Sequence, residues 1–421
     1  MKVLMFGWEF PPVISGGLGT ACFGLTRGLA QEGIDITFVV PRVTGKAKKS
    51  HVRLIDASSI KLSGDHADTI EDVRIRPVDS FLIPYMTEES YMEALEKAAR
   101  DSKNGKSKKA ASWEPYGPDL YSEVLRYSQI AGVIAKQESC SVIHTHDWMT
   151  IPAGIEAKNQ TGKPLVAHIH SLESDRSMVR LNERIYGIER LGMMEADHII
   201  AVSHYTKRKI VDQYGIPEEK ISVVHNAAPH FESRHKDHIM KDPSRKFVLF
   251  LGRITAQKGP DYFLEAARKV LSRNPDIHFI MAGSGDMMGQ VKEKAARLEI
   301  ENNVHFTGFL RGADVEKIYA MSDLYVMPSV SDPFGITALE AIMCGVPVII
   351  SSQSGVSEVL QTCPKVDFWN TGALADRIME ILENDALREE IVGSCREEMK
   401  NVNWKIAAEK IIDVYQRLLM I

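Results

Sequence analysis

Cysteine is sparse in this chain: five residues, Cys22, Cys140, Cys344, Cys363 and Cys395, fall without any C-x-x-C spacing. That argues against a disulfide framework and against a regularly spaced zinc site, and it fits buried thiols in a reducing cytoplasm. No run approaches the roughly 18 uninterrupted apolar residues that a bilayer-spanning helix requires, so no integral membrane segment is expected. The opening MKVLMFGWEFPP lacks a small-residue cleavage site and reads as a first strand, not as a signal peptide. Positive charge is not in excess either. The formal net charge is −5, which offers no reason to expect nucleic acid as a partner. Any anion must therefore be caught by local arrangement. No repeat of solenoid period is present.

The 421 residues exceed one core of ordinary size, and 44% apolar with 25% charged residues is soluble globular composition. Short β-branched runs alternate with longer amphipathic segments. Strands are expected at 2–6, 34–40, 142–146, 165–170, 198–202 and 221–225, then at 247–252, 278–282, 304–306, 324–327 and 346–350. Helical patterns such as 259–273 and 286–298 lie between them. This alternation predicts an α/β protein with parallel sheets covered on both faces, in two doubly wound domains. The polar stretch 230–246 (HFESRHKDHIMKDPSRK) predicts a linker between a first domain, 1–229, and a second, 247–402. Residues 403–421 predict a final helix with one apolar face. The stretch 101–112 (DSKNGKSKKAAS) reads as a solvated loop.

Three places carry anion chemistry. Gly16 and Gly17 follow the first strand and precede a helix, so backbone N–H groups face outward there. In the loop Gly252–Gly259, Arg253 and Lys258 stand five residues apart at a strand's carboxyl end, within reach of one diphosphate. In Asp332–Ala341 (DPFGITALEA), Gly335, Ile336 and Thr337 open a helix, with Asp332 in the loop and Glu340 about one turn inside. The pairs His144/His146 and His168/His170 alternate on strands, so either pair could chelate a metal. With no cysteine or third convergent histidine evident, substrate contact fits the strand-end histidines better. A core role bonded to backbone fits His144 and His168.

Taken together, these segments resemble the retaining glycosyltransferases of the GT-B fold, closest to the bacterial and archaeal glycogen synthases and related E-x7-E enzymes. WEFPPVISGGLGT is similar to the family's E-x-x-P…K-x-G-G-L segment, HTHDW to its H-x-H-D-W stretch, and DPFGITALE to E-P-F-G-x-x-x-x-E. Ser15 stands where the family usually has lysine, and Asp332 replaces the first Glu of the pair. The stretch after Glu358 lacks the usual glycine-rich run.

The resemblance implies two Rossmann-like domains facing across a cleft, with the last helix crossing back to the first. It implies a nucleotide-sugar donor, UDP-glucose or ADP-glucose, and a glycan acceptor, an α-1,4-glucan first. Arg253 and Lys258 would hold the diphosphate, Asp332 the sugar hydroxyls, Glu340 the ribose, and His170 the sugar near its primary hydroxyl. Glu9, His146 and Asp147 are acceptor-side candidates. No D-x-D motif occurs, so no catalytic metal is expected. Alternatives are a transferase for cell-surface polysaccharide or lipid-linked acceptors, with peripheral membrane contact, and a non-catalytic nucleotide-sugar binding protein. A pyridoxal-type phosphorylase would need a far longer chain.

Overall fold

A computed structural model describes residues 1–11, 16–42, 50–60, 120–177, 180–228 and 245–420. Ser15, the lysine-bearing stretch 101–112 and residues 230–244 of the expected linker lie outside them. The described chain forms two compact units. The first comprises Met1–Ala201, Ile210–Ser222 and Ala408–Ile421, and the second Val202–Lys209 and Val223–Ala407. The second unit thus also holds chain that the sequence reading places before residue 229 and after residue 402.

The first unit is built on a seven-stranded sheet. Its strands are β1 (Lys2–Phe6), β2 (Asp35–Val40), β3 (Arg53–Asp56), β4 (Val142–His146), β5 (Leu165–Ile169), β6 (His198–Ala201) and β7 (Ile221–Val223). They lie in the order β3-β2-β1-β4-β5-β6-β7, and the pairings from β3 through β6 are parallel. Every residue of β4 and β5 is buried, as in a strand covered on both faces. Helices α1 (Gly17–Gln31), α2 (Leu120–Gln137), α3 (Ile151–Thr161), α4 (Glu173–Arg176), α5 (Glu183–Glu195) and α6 (His204–Tyr214) connect these strands.

The second unit has six strands: β8 (Lys246–Leu251), β9 (Ile277–Ala282), β10 (Val304–Gly308), β11 (Leu324–Met327), β12 (Val348–Ser351) and β13 (Lys365–Val366). Their order is β10-β9-β8-β11-β12-β13, all parallel. Helices α7 (Pro260–Leu271), α8 (Met288–Arg297), α9 (Ala313–Met321), α10 (Ile336–Met343), α11 (Thr371–Glu383) and α12 (Asp385–Met399) cover it, and α13 (Trp404–Leu419) follows. The final helix buries Ala407, Ala408, Ile411, Val414 and Tyr415, while Leu419 at its end stays exposed. In each sheet the strand order reverses beside the first strand, between β1 and β4 and between β8 and β11. Open α/β sheets bind ligands at the carboxyl ends of such a pair.

Candidate active site

In the second unit three loops meet at that reversal. The loop after β8 is held by backbone bonds: Ile254 N donates to Ser284 O at 2.9 Å, and Met287 N to Ile254 O at 3.1 Å. Gly283 and Gly285 make this approach possible, since a Cβ on either would stand 1.8 Å from Gly252 O or 2.3 Å from Ile254 O. Gly259 ends the same loop at φ +68°, its would-be Cβ 2.0 Å from Pro328 O. Only glycine fits there. The third loop, after β11, is laced to the chain after β12: Asp332 N donates to Gln353 O at 3.0 Å and Gly355 N to Asp332 O at 2.9 Å.

On this frame Lys258 Nζ donates to Asp332 Oδ2 at 2.7 Å, and Ser329 Oγ to the same oxygen at 3.3 Å. The Arg253 guanidinium reaches Gln257 Oε1 at 3.5 Å and is half-buried. Gly335, at φ +101°, precedes α10, whose first turn has neither a side-chain cap nor an acidic residue. Its N-terminal N–H groups are therefore open to an anion. Thr337 Oγ1 accepts from Tyr325 OH at 2.7 Å. Glu340 Oε2 accepts from Tyr319 OH at 3.0 Å, and burial pushes its carboxyl up to about 7 against the opposing pull of that bond. The structure thus brings Gly252, Arg253, Lys258, Asp332 and Gly335 onto adjoining loops, with Ile336 and Thr337 opening α10 and Glu340 one turn further in.

In the first unit the two histidine pairs converge. Register places His146 of β4 opposite His168 of β5. His146 Nδ1 and His170 Nε2 are 3.0 Å apart, and His144 Nε2 and His168 Nδ1 are 3.3 Å apart. The His168 and His170 rings stack at 4.2 Å. Tyr415 of α13 closes the row, its hydroxyl 2.5 Å from His144 Nδ1. Burial holds all four imidazoles below the usual histidine range, His144 down to about 3. For His170, the Asp147 carboxylate opposes that shift.

Asp147 itself has φ +62°, a rare setting for a side chain with a Cβ. Its Oδ1 accepts from the backbone N–H of His170 at 2.6 Å and of Ser171 at 3.2 Å, so one carboxylate oxygen fixes the start of the loop after β5. Glu9 is buried, and burial, with the Asp147 and Glu9 carboxylates adding to it, holds the thiol of Cys22 in α1 well above the usual cysteine range. Gly16 and Gly17 open α1 without a capping side chain, and a Cβ on either would meet nothing within 4 Å. The expectation that no cysteine or third histidine converges is corrected here. Cys22, His146 and His170 offer ligand atoms within 4.8 Å of one another, and so do His144, His146 and His168. Cys22 and the Gly283-Ser284-Gly285 loop were missed. The A-G-S-G stretch after β9 was the available sign of the latter.

Two family models match the chain: "Glycosyltransferase Family 4" over residues 94–230 and "Glycosyl transferases group 1" over residues 232–397. An uncharacterised glycosyltransferase of Methanocaldococcus jannaschii is 28% identical over 437 residues, covering 99% of this chain and 98% of that one. A glycogen synthase of Mycobacterium tuberculosis is 23% identical over 440 residues, covering 99% and 94%. A crystal structure from Anabaena in complex with UDP and glucose matches with a TM-score of 0.66 and 16% identity, covering 99% of each chain. At that identity the likeness shows the fold alone.

Proposed function

Because this chain is a glycosyltransferase of the group 1 family with the GT-B fold, we propose that it moves a hexosyl group, glucosyl first, from a nucleotide-sugar to a glycan with retention. The α-1,4-glucan stands first among acceptors, supported by the HTHDW and DPFGITALE segments and by the glycogen synthase relative. The relative solved with UDP and glucose supports a UDP-sugar as the first donor to try. One observation carries the reading. Two cations, Arg253 and Lys258, share a backbone-braced loop that meets Asp332 beside the uncapped start of α10.

Departure of the nucleoside diphosphate leaves positive charge on the sugar and negative charge on the leaving group. Arg253, Lys258 and the N–H groups after Gly335 stabilise that negative charge. They do for the diphosphate what a magnesium ion does in metal-dependent transferases. Asp332 passes from Lys258 to the sugar hydroxyls as the lysine turns to phosphate, and Glu340 receives the ribose. His170, neutral in its buried setting, contacts the sugar near its primary hydroxyl, and Asp147 sets its backbone. Gly16 and Gly17 present the start of α1 to phosphate. Glu9 and His146 serve the acceptor side. Transfer proceeds on the front face, since among the described residues no carboxylate is set as a covalent nucleophile.

The deciding measurement is nucleoside-diphosphate release from UDP-glucose, ADP-glucose and GDP-mannose, each with and without glycogen. Glycogen-stimulated release from a glucose donor supports the α-glucan reading. Unstimulated slow hydrolysis moves the acceptor to another glycan or a lipid, and binding without turnover marks a non-catalytic protein.

A further inference from the structure

We propose that Cys22, His146 and His170 form a binding site for a thiophilic d10 cation of the zinc class. The three side chains come from α1, from the end of β4 and from just after β5, and each is more than nine-tenths buried. Their ligand atoms lie within 4.8 Å of one another. Ligands of a tetrahedral zinc stand about 3.3–3.8 Å apart at bond lengths of about 2.0–2.3 Å. A contraction of about one ångström therefore closes the set. His146 Nε2, His168 Nε2 and His170 Nδ1 are buried without a hydrogen-bond partner. His146 and His170, bonded to each other through Nδ1 and Nε2, thus each keep a second buried nitrogen without a partner, and buried polar atoms are rarely left so.

The other trio, His144, His146 and His168, is the poorer site. Both ring nitrogens of His144 are engaged, one with Tyr415 and one with His168. Around Cys22, by contrast, the carboxylates of Glu9 and Asp147 supply negative potential for a cation. One thiolate and two imidazoles suit zinc or copper(I), and three protein ligands leave a fourth position open. Binding a divalent ion displaces the thiol proton: Cys22–SH and M²⁺ give Cys22–S–M⁺ and one H⁺. The site shares His146 and His170 with the transfer chemistry proposed above, so its test reads metal and not turnover.

Untagged, chelator-stripped protein is titrated with Co²⁺ as the spectroscopic probe and then with Zn²⁺. The work is done in a His278→Ala background, because His278 and His305 form an exposed pair 3.0 Å apart that would also chelate. The expected result is one equivalent of Co²⁺ with a thiolate-to-cobalt charge-transfer band, displaced by Zn²⁺. Cys22→Ser abolishes the band and weakens binding at least about tenfold. His170→Asn weakens binding comparably and guards against a Cys22 variant that fails to fold. Absence of the band in the parent protein overturns the proposal, as water or a substrate hydroxyl then satisfies the orphaned nitrogens. Undiminished binding in whichever variants fold overturns it equally.

Discussion

Lys258 Nζ and Asp332 Oδ2 are joined at 2.7 Å across two loops, with the carboxylate side chain 5% exposed and the ammonium side chain 23% exposed. The lysine is therefore oriented before any phosphate arrives, and the aspartate leaves it only for a better partner. Removing the lysine deletes one preorganised charge at the leaving group. Lys258→Ala is expected to lower kcat/KM by about 2–4 kcal/mol in barrier terms. Steady-state kinetics with the best donor measures this, and a loss well under 1 kcal/mol removes Lys258 from the site.

The brace beneath that pair makes a stability prediction. Gly259 combines φ +68° with a would-be Cβ 2.0 Å from the Pro328 carbonyl oxygen. The backbone has nowhere to yield without opening the β8–β11 loops. Gly259→Ala should destabilise by more than about 2 kcal/mol, from strain at a special φ together with a backbone clash. Urea unfolding compares it with Gly289→Ala, where a Cβ meets nothing within 4 Å. Equal midpoints for the two variants would falsify the clash argument.

Glu340 supplies a pH dependence. Its carboxyl is raised from 4.5 to about 7 in the folded chain, chiefly by burial. A raised acid contributes stability that is full below its unfolded value and is lost as pH rises through 7. From pH 5 to pH 8 the wild-type midpoint should thus fall more than that of Glu340→Gln, whose amide cannot ionise. Thermal unfolding across this range reads the difference, and parallel curves for the two proteins would sink the assignment. Glu189, raised to about 7 by burial in the first unit, adds the same slope to both proteins and cancels in the comparison.

Tyr415 makes a fourth case. Its hydroxyl meets His144 Nδ1 at 2.5 Å inside the core. Tyr415→Phe leaves a buried ring nitrogen unpaired, at an expected cost of about 1–3 kcal/mol. Chemical denaturation measures it. A Phe variant as stable as the parent would mean that His144 finds another partner.

Much of this could be read along the chain, and the reasons are local. β5 and β8 announce themselves as apolar runs, and the glycines at Gly252 and Gly335 mark the loops that lead into helices. The edge strands β3, RLID, and β13, only two residues, were not foreseen. Neither carries an apolar run, because an edge strand need not bury both faces. The histidine cluster was legible only as pairs. Its convergence depends on the His146–His168 register, on a cysteine from α1 and on a tyrosine from α13. Spacing cannot show contacts between residues 271 positions apart. The backbone-on-backbone approach of Gly252 and Gly283 was likewise hidden, since a glycine's neighbour in space leaves no mark in its own sequence.

That the first unit includes Ala408–Ile421 sets an order on its birth. During synthesis a ribosome makes the whole six-stranded second sheet before it makes the helix that brings Tyr415 to His144. Domains generally fold as the chain emerges, N-terminal first. Here the histidine row of the N-terminal sheet lacks its tyrosine until after the second sheet has been made.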